Sequence, residues 1–376
     1  MGKIRVLVVD DAVVVRRVVS DALNTDPDVA VVGTAPSGRI ALHKIPQVVP
    51  DLVTLDIEMP DMDGLATLAA IRRDWPRLPV IMFSTLTRRG AVATLDALAA
   101  GASDYVTKPT AMSGYTAGAF VRAELLPRIK ALCPRRAVAV APREAAPAAA
   151  TSHAAPRLFP AAAGPARPIE VLAIGVSTGG PNALAEVQPA LPADIPVPIV
   201  VVQHMPPMFT RLLAERLDTQ SAIAVAEAVA GEERAPGTAL IAPGDYHMVV
   251  RRDGAAAHVG THQAPHENSC RPSVDVLFRS VAEAYGAATL AVVLTGMGQD
   301  GLAGCERIRE AGGRVLVQDE ATSVVWGMPG FVANAGLAEA VLPLGSLAPA
   351  ITRRVREGRS GEAAEAEPAP AQAPAA

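Results

Sequence analysis

The sequence predicts two α/β domains in one chain, each built on a mainly parallel β-sheet. The chain has 376 residues, which is longer than one ordinary domain. Short aliphatic runs alternate with amphipathic stretches in two separate blocks, a pattern typical of βα units. Hydrophobic residues make up 50% of the chain but aromatic residues only 3%, so both cores must be built mostly from Val, Ile and Leu.

The N-terminal block, residues 1–130, contains five aliphatic runs separated by helical patterns. This predicts a (βα)5 domain with helices on both faces of its sheet. The predicted strands are Ile4–Val9, Val29–Val32, Leu52–Leu55, Val80–Phe83 and Asp104–Val106. In the next segment, residues 131–168, the composition shifts to Ala and Pro without periodicity, which is typical of an extended linker.

The second block, residues 169–355, predicts a doubly wound α/β domain with a mainly parallel sheet. Its predicted strands are Glu170–Ile174, Ile199–Val202, Thr238–Ile241, His247–Val250, Leu290–Leu294 and Arg314–Val317. The tail, residues 356–376, consists largely of Ala, Glu and Pro without a pattern, and we expect it to be disordered.

Charge and cysteine usage narrow the classes of function. The net charge is −4 and there is no dense Lys/Arg stretch, which argues against a nucleic-acid partner. The three cysteines show no CxxC or metal-binding spacing, so we expect reduced thiols and no disulfide. The N-terminus lacks the pattern of a signal peptide, and no apolar run has the length of a membrane span. We therefore expect a cytoplasmic protein without membrane insertion.

Polar residues follow the predicted strands of the first domain, where the carboxyl ends of parallel strands meet. Asp10 and Asp11 follow the first strand, Asp56 the third, Ser84 the fourth and Lys108 the fifth. Crowded carboxylates repel each other unless a cation lies among them, and Mg²⁺ prefers such oxygen ligands. The arrangement indicates that Asp56 attacks a phosphoryl donor, while Lys108 and Ser84 hold the oxygens of the transferred group.

This ordered set of residues resembles the receiver domain of two-component response regulators. The resemblance implies that Asp56 is the phosphoacceptor. It also implies that Asp10, Asp11 and Asp56, with the backbone of Glu58, bind the Mg²⁺ needed for phosphorylation. Tyr105 would be the aromatic residue that changes rotamer on activation.

A serine, a histidine and an aspartate follow three predicted strands of the second domain. Ser177 lies in a GxSxG sequence, His204 follows the strand Ile199–Val202, and Asp300 lies in the Gly-rich turn after Leu290–Leu294. If the three converge, His204 takes the proton of Ser177 and Asp300 orients the imidazole. The backbone N–H of Met297 is our candidate donor to the oxyanion, and this chemistry requires no cofactor.

Two other readings of the second domain fit less well. The glycine spacing around Ser177 is not the GxGxxG of dinucleotide-binding domains, and His204 stands where those have an acid. The chain order Ser, His, Asp differs from the Ser, acid, His order of α/β-hydrolases, so a different fold is expected.

Two further polar stretches are interpreted as structural. His258, His262 and His266 are interpreted as loop histidines, because Gly260 and Pro265 interrupt any helix that could align them on a metal. The stretch Asn268–Phe278 is interpreted as a capped amphipathic helix. Its Cys270 has no activating partner nearby in the sequence.

The four motifs of the second domain, following a receiver, resemble the chemotaxis response-regulator protein-glutamate methylesterases. These motifs are GVSTGGP (175–181), QHM (203–205), RPSVDVLF (271–278) and TGMGQDG (295–301). The resemblance implies hydrolysis of γ-glutamyl methyl esters on methyl-accepting chemoreceptors, and glutamine deamidation at such sites. It places the nucleophile, base and acid on Ser177, His204 and Asp300, and it implies a chemotaxis histidine kinase as the phosphoryl donor.

Two alternatives remain at the level of sequence. One is a non-enzymatic response regulator whose output domain binds DNA or a protein, although no helix-turn-helix or basic surface is visible. The other is a hydrolase of small esters with a receiver attached. In either esterase, we expect the unphosphorylated receiver to pack over the mouth that contains Ser177 and His204.

Overall fold

The structure is a computed structural model that describes residues 2–108, 115–133, 167–232, 235–254, 256–357 and 359. Most of the predicted linker and most of the predicted tail lie outside these residues. Within the described part of the chain, two parallel sheets and one antiparallel hairpin form the framework. The predicted fold class is confirmed.

The first domain is a five-stranded parallel sheet with helices on both faces. Its strands are β1 (Ile4–Val9), β2 (Val29–Ala35), β3 (Leu52–Asp56), β4 (Val80–Ser84) and β5 (Asp104–Thr107), in the spatial order β2-β1-β3-β4-β5. Its helices are α1 (Val13–Asn24), α2 (Gly38–Val48), α3 (Gly64–Asp74), α4 (Arg88–Ala99), α5 (Tyr115–Phe120) and α6 (Leu126–Leu132), the last two joined by a π-helical turn, Val121–Leu125.

Local sequence explains where several of these helices begin. Ser37, Asp63 and Thr87 each precede a helix, and their side chains accept hydrogen bonds from backbone N–H groups of its first turn. Such caps satisfy backbone donors that have no partner inside the helix. Strands β3 and β4 are buried along their whole length, which explains why they read as continuous aliphatic runs.

The second domain is a seven-stranded parallel sheet covered by helices, with an antiparallel hairpin beside it. The sheet has the order β14-β13-β12-β6-β7-β9-β8, and β10 pairs with β11 in the hairpin. The strands are β6 (Val171–Val176), β7 (Ile199–Gln203), β8 (Ala224–Glu227), β9 (Thr238–Ile241), β10 (His247–Asp253), β11 (Ala256–His262), β12 (Thr289–Val293), β13 (Arg314–Gln318) and β14 (Ala340–Leu342). The helices are α7 (Gly180–Val187), α8 (Phe209–Gln220), α9 (Val274–Tyr285), α10 (Leu302–Glu310), α11 (Met328–Asn334) and α12 (Leu344–Arg356), with a 3-10 turn at Gly286–Ala288.

Two interpretations of the second domain are wrong. His258 and His262 are not loop residues, because both lie in β11, where the pairing with β10 accommodates Gly260. The stretch Asn268–Phe278 is not one helix. A turn that brings Glu267 and Cys270 into backbone pairing occupies its start, and α9 begins only at Val274.

The two domains pack against each other through α4 of the first domain and α7 and α8 of the second. Asn182 Nδ2 donates a hydrogen bond to the carbonyl of Leu98 (2.8 Å), and Arg216 pairs with Asp96 (2.9 Å). The same interface places Asp104, the first residue of β5, beside Thr178 in the turn after β6. None of the helices in the described part of the chain has the length and apolar character that a bilayer span requires.

Candidate active site and phosphorylation site

Three carboxylates meet at the carboxyl end of the first sheet. Asp10 and Asp56 are buried and Asp11 is exposed, and one oxygen of each lies within 4.8 Å of the others. Lys108 reaches both buried carboxylates, with its Nζ at 2.9 Å from Asp10 Oδ2 and 2.7 Å from Asp56 Oδ2. The structure thus brings together the acids and the lysine that the sequence placed at separate strand ends.

One lysine does not neutralise this acidic cluster. Burial and repulsion by Asp10 raise the pKa of Asp56 to about 6, although Lys108 acts in the opposite direction. The available donors are all oxygens, which is the ligand set of a hard divalent cation such as Mg²⁺. The residues present therefore fit the ion that phosphorylation of this kind of site requires.

The other predicted residues of the first domain lie around this cluster. The backbone N–H of Glu58 lies 3.4 Å from Asp56 Oδ1, so its peptide borders the carboxylate. The Ser84 hydroxyl points to α4 in this state, where it accepts a hydrogen bond from Thr94 Oγ1 (2.7 Å). The Tyr105 ring stacks on Phe209 of the second domain with a centroid separation of 5.1 Å.

Ser177 lies in a tight turn between β6 and α7. Its N–H donates to the carbonyl of Thr295 (3.0 Å), and its own carbonyl accepts from Gln203 Nε2 (3.0 Å). Gly179 has a φ of +79°, which favours glycine, and Gly180 leaves no room for a Cβ, which would lie 1.9 Å from Gln203 Oε1. These glycines therefore allow the turn that holds Ser177 at the end of the sheet.

His204 and Asp300 form a buried pair beside this turn. They follow β7 and β12, the two neighbours of β6, and His204 Nε2 lies 2.8 Å from Asp300 Oδ2. Burial opposes the imidazolium, but the carboxylate prevails and raises the pKa of His204 above its usual range. Burial likewise disfavours the carboxylate, but the hydrogen bonds from His204 and its other partners hold the pKa of Asp300 below its usual range.

The Gly-rich turn after β12 approaches Ser177 closely. A Cβ on Gly296 would lie 2.8 Å from the Cβ of Ser177, and the carbonyl of Gly296 accepts from Met328 N–H (2.8 Å). Met297 follows directly and lines the same cleft as Ser177 and His204, a cleft of about 830 Å³.

Cys270 has a partner that its sequence neighbours do not reveal. Its Sγ lies 3.5 Å from Nδ1 of His204, on the ring nitrogen not used by Asp300. Cys270 has no such partner near it in the sequence, as expected, but the fold brings the imidazole of His204 next to its thiol. The turn at residues 267–270 places this thiol beside the imidazole. The contact could not be predicted from the sequence, because it depends on the fold.

The first domain lines the mouth of the cleft. Thr178, next to Ser177, donates its hydroxyl to Asp104 Oδ2 (3.1 Å), and Asp104 is also paired with Arg128 (3.3 Å). Asp104 immediately precedes Tyr105, so one strand end supplies both contacts. The individual residues of this contact could not be predicted, because no sequence pattern indicates which faces of two α/β domains meet.

The fold and the geometry define a class: a receiver domain joined to an α/β domain with a Ser, His, Asp constellation at the ends of adjacent strands. Family models agree, with "Response regulator receiver domain" matching residues 6–117 and "CheB methylesterase" matching residues 172–351. A protein-glutamate methylesterase/protein-glutamine glutaminase of Trichodesmium erythraeum is 54% identical, with 94% of this chain and 100% of the relative covered. The counterpart from a Nocardioides species is 56% identical, with 96% and 97% covered.

Solved structures are similar to each half of the chain. The CheB methylesterase catalytic domain of Thermotoga maritima is 43% identical, covers 49% of this chain and 98% of its own, and has a TM-score of 0.49. The response regulator domain of the same organism's CheB is 43% identical and covers 34% of this chain and 94% of its own, with a TM-score of 0.32. On the strength of its full-length relatives, the chain belongs to the CheB methylesterase family with a receiver domain.

Proposed function

We propose that this protein is a phosphorylation-activated serine esterase that hydrolyses glutamate methyl esters on chemoreceptors and deamidates glutamines there. One observation supports the proposal: Ser177 and His204, which is paired with Asp300, follow neighbouring strands and line one cleft, in a chain similar along 94% of its length to curated methylesterase/glutaminases. The catalytic unit would span residues 169–355 and the regulatory unit residues 1–130.

Ester hydrolysis by these residues follows the serine mechanism. Ser177 Oγ attacks the ester carbonyl as His204 takes its proton, and Asp300 stabilises the imidazolium that forms. The N–H of Met297 donates to the oxyanion of the tetrahedral intermediate. Return of the proton to the leaving oxygen releases methanol, and water then hydrolyses the acyl-enzyme by the same route. A glutamine side chain would release ammonia instead.

The pairing of His204 with Asp300 supports different roles for the two ring nitrogens. Because Asp300 holds Nε2, the nitrogen that can accept the proton of Ser177 is Nδ1. In this state Nδ1 faces the Cys270 thiol. Catalysis would therefore require the imidazole to exchange Cys270 for Ser177 as its partner at Nδ1.

Phosphorylation would use the acidic cluster of the first domain. Asp10, Asp11, Asp56 and the backbone of Glu58 would hold Mg²⁺, which neutralises the charge of the transferred group. Asp56 would attack the phosphoryl group carried by a chemotaxis histidine kinase, whose bond to the phosphorus breaks as the acyl phosphate forms, and Lys108 would move from the carboxylates to the new phosphoryl oxygens. These partners, and the methylated cytoplasmic segments of receptors, would place the protein in the cytoplasm.

Control would come from the contact between the two domains. Asp104 and Tyr105 contact Thr178 and Phe209, so the unphosphorylated receiver covers the mouth beside Ser177. Phosphorylation at Asp56 would turn Ser84 and Tyr105 towards the phosphoryl site and weaken this contact. A closed state favoured by about 1.4–2.8 kcal/mol would give roughly 10–100-fold activation on opening.

The test is methanol release from a methylated receptor fragment by the purified protein, with and without acetyl phosphate and Mg²⁺. A short ester such as p-nitrophenyl acetate serves as the comparison for a hydrolase of small esters. Activity on the short ester alone would contradict the proposal. A fragment beginning near Ile169 should release methanol faster than the unphosphorylated full-length protein, and acetyl phosphate should not change its rate. If it is no faster, the receiver does not act by covering the mouth.

A further inference from the structure

Asp300 is held by an unusually complete set of donors. Its Oδ2 accepts from His204 Nε2 (2.8 Å) and from the backbone N–H of Val274 (2.7 Å). Its Oδ1 accepts from the hydroxyl of Ser273 (2.8 Å) and the backbone N–H of Asp275 (3.1 Å). The start of helix α9 thus supplies N–H groups to a negative charge, the arrangement that stabilises anions at helix N-termini.

A further donor comes from outside the helix. The side-chain amide of Asn268 lies 2.9 Å from Asp300 Oδ1 and 2.8 Å from Oδ2 of Asp275. An amide nitrogen carries two hydrogens, so both are used and each is given to a different carboxylate. The other oxygen of Asp275 accepts from Gly304 N–H (2.6 Å) at the start of α10. Two buried carboxylates are therefore bridged by one neutral amide.

The backbone presents Asn268 in a specific way. Asn268 and Ser269 have φ values of +50° and +63°, and the backbones of Glu267 and Cys270 on either side pair with each other. Two consecutive left-handed residues form a tight turn of a kind in which Asn is favoured. Glu267 is fixed in turn by a two-pronged ion pair with Arg279 of α9 (2.6 Å). The turn thus presents Asn268 to Asp300 and Cys270 to His204.

We propose that Asn268 is a positioning residue for the esterase reaction, and that it keeps Asp300 ionised and aligned by separating its charge from that of Asp275. This inference rests on the proposed function. Asn268 lines the cleft with Ser177 and His204, and its amide hydrogens are given to Asp300 and Asp275. Two carboxylates sharing one site retain a proton unless donors offset their electrostatic repulsion.

The surrounding charges do not replace this amide. The titratable groups facing the pair are His204, Glu267, Cys270, Arg279 and Cys305. Arg279 is already paired with Glu267, and His204 is the imidazole whose positive charge Asp300 stabilises during the reaction. Burial and the Asp300 charge already raise the pKa of Asp275 to about 6, although Gly304 and Asn268 act in the opposite direction.

Loss of the amide has a defined sign. Both carboxylates lose a donor that favours their charged form, so the pair retains a proton to higher pH. A proton on Asp300 abolishes its stabilisation of the imidazolium. The acid limb of the pH–rate profile should therefore move towards higher pH, by about one unit or more for a hydrogen bond to a charged group.

The test compares N268G with S269G in the full-length protein. Glycine adopts a positive φ without strain, so N268G removes the amide and spares the turn, while S269G makes the same backbone change one residue on. We expect N268G to lower kcat about 10- to 100-fold with little change in KM, less than the roughly 10⁴-fold cost of a lost triad aspartate. Its acid limb should shift upward, and S269G should match the wild type in both.

The double variant N268G/D275N tests the cause of that shift. Removing the second carboxylate should return the acid limb towards its wild-type position, because the repulsion that retained the proton is gone. A limb that stays raised in the double variant would overturn the proposal. So would a fall in kcat of N268G without any movement of the limb, or an equal effect of S269G. If the double variant does not fold, N268G against S269G decides the question alone.

Labelling of Ser177 by a fluorophosphonate keeps this inference separable from the proposed function. The labelling rate depends on the same imidazole and carboxylate, but it needs no receptor. If the wild type labels normally and releases no methanol from receptors, the proposed substrate is wrong. The pH profiles of labelling for N268G and S269G then still decide whether Asn268 positions Asp300.

Discussion

The carboxyl end of each sheet carries buried carboxylates, and we call it the acidic edge of that sheet. The two acidic edges occupy equivalent topological positions, but the pKa of the main carboxylate is raised at one and lowered at the other. In the receiver, Asp10 and Asp56 share one lysine, and the pKa of Asp56 is raised to about 6 by burial and by Asp10. In the catalytic domain, the donors around Asp300 outweigh the cost of its burial and lower its pKa. The carboxylates of the receiver have one lysine between them, whereas Asp300 receives a full set of donors from the protein itself.

The difference indicates what each edge is built to do. An edge that is short of donors gains stability from a divalent cation and a phosphoryl group, so its state can be switched from outside. An edge with a full set of donors keeps one carboxylate ionised permanently, as a serine mechanism requires. The topology of the sheet therefore determines where each carboxylate lies. The number of hydrogen-bond donors around it determines whether its charge can be changed by a bound group or stays ionised.

The largest expected effect tests whether the second edge is a serine site at all. Ser177→Ala should lower ester hydrolysis by about 10⁶-fold, because the nucleophile is removed and only binding and oxyanion donors remain. Methanol release measures the loss, and Asp56 labelling from acetyl phosphate should remain at the wild-type level as the control for folding. Near-full activity would eliminate the serine mechanism.

The next effect concerns the carboxylate of the catalytic domain. Asp300→Asn should lower kcat by about 10⁴-fold, since an amide cannot stabilise the imidazolium. The receiver edge is untouched, so the variant should still accept a phosphoryl group. A loss of less than about tenfold would mean that Asp300 is only a helix cap.

The sequence predicted the location of both edges because most of the functional residues lie at or just after the end of a buried aliphatic strand. Asp56, Ser177 and His204 could be assigned in this way, and the order of strands in a parallel sheet then brought them together. Asn268 and Cys270 could not be found so. They lie in a turn with two residues of positive φ, and the sequence of this turn has no hydrophobic pattern. Their partners are 32 and 66 residues away in the chain.

A smaller effect is expected at the receiver edge. Asp56→Asn should leave basal ester hydrolysis unchanged and remove the roughly 10–100-fold activation by acetyl phosphate, because an amide cannot form the acyl phosphate. Chelation of Mg²⁺ should have the same effect on the wild type. Phosphoryl labelling and methanol release are measured on the same samples. Labelling that survives both treatments would identify another acceptor and would remove the contrast between the two edges.

The short outer strands of the second sheet could not be predicted from the sequence, nor could the individual residues of the contact between the domains. Ala224–Glu227 and Ala340–Leu342 lie at the two edges of the second sheet and are only partly buried, so they lack the aliphatic runs that mark the central strands. The interface depends on single residues such as Thr178 and Phe209. Their roles emerge only once both surfaces are assembled.

The smallest effect concerns the contact between Tyr105 of the receiver and Phe209 of the catalytic domain. Tyr105 follows Asp104 in β5 and stacks on Phe209 with an angle of 9° between the rings. A stacked aromatic pair contributes about 0.5–1.5 kcal/mol beyond its buried area. Tyr105→Leu should therefore raise the basal ester hydrolysis of the unphosphorylated protein by roughly 2- to 10-fold. The rate of the fully phosphorylated protein should not change, because its receiver has already left the mouth.

Arg216→Ala is the matched control, since it removes a partly exposed ion pair with Asp96 at the same interface. Such pairs contribute little, and the basal rate should rise by about twofold or less. If Arg216→Ala activates the protein as strongly as Tyr105→Leu, the closed state depends on the whole interface. If neither variant activates it, the Tyr105 contact does not restrain the esterase, and the link between the switch residue and the catalytic edge must run through Asp104 and Thr178 instead.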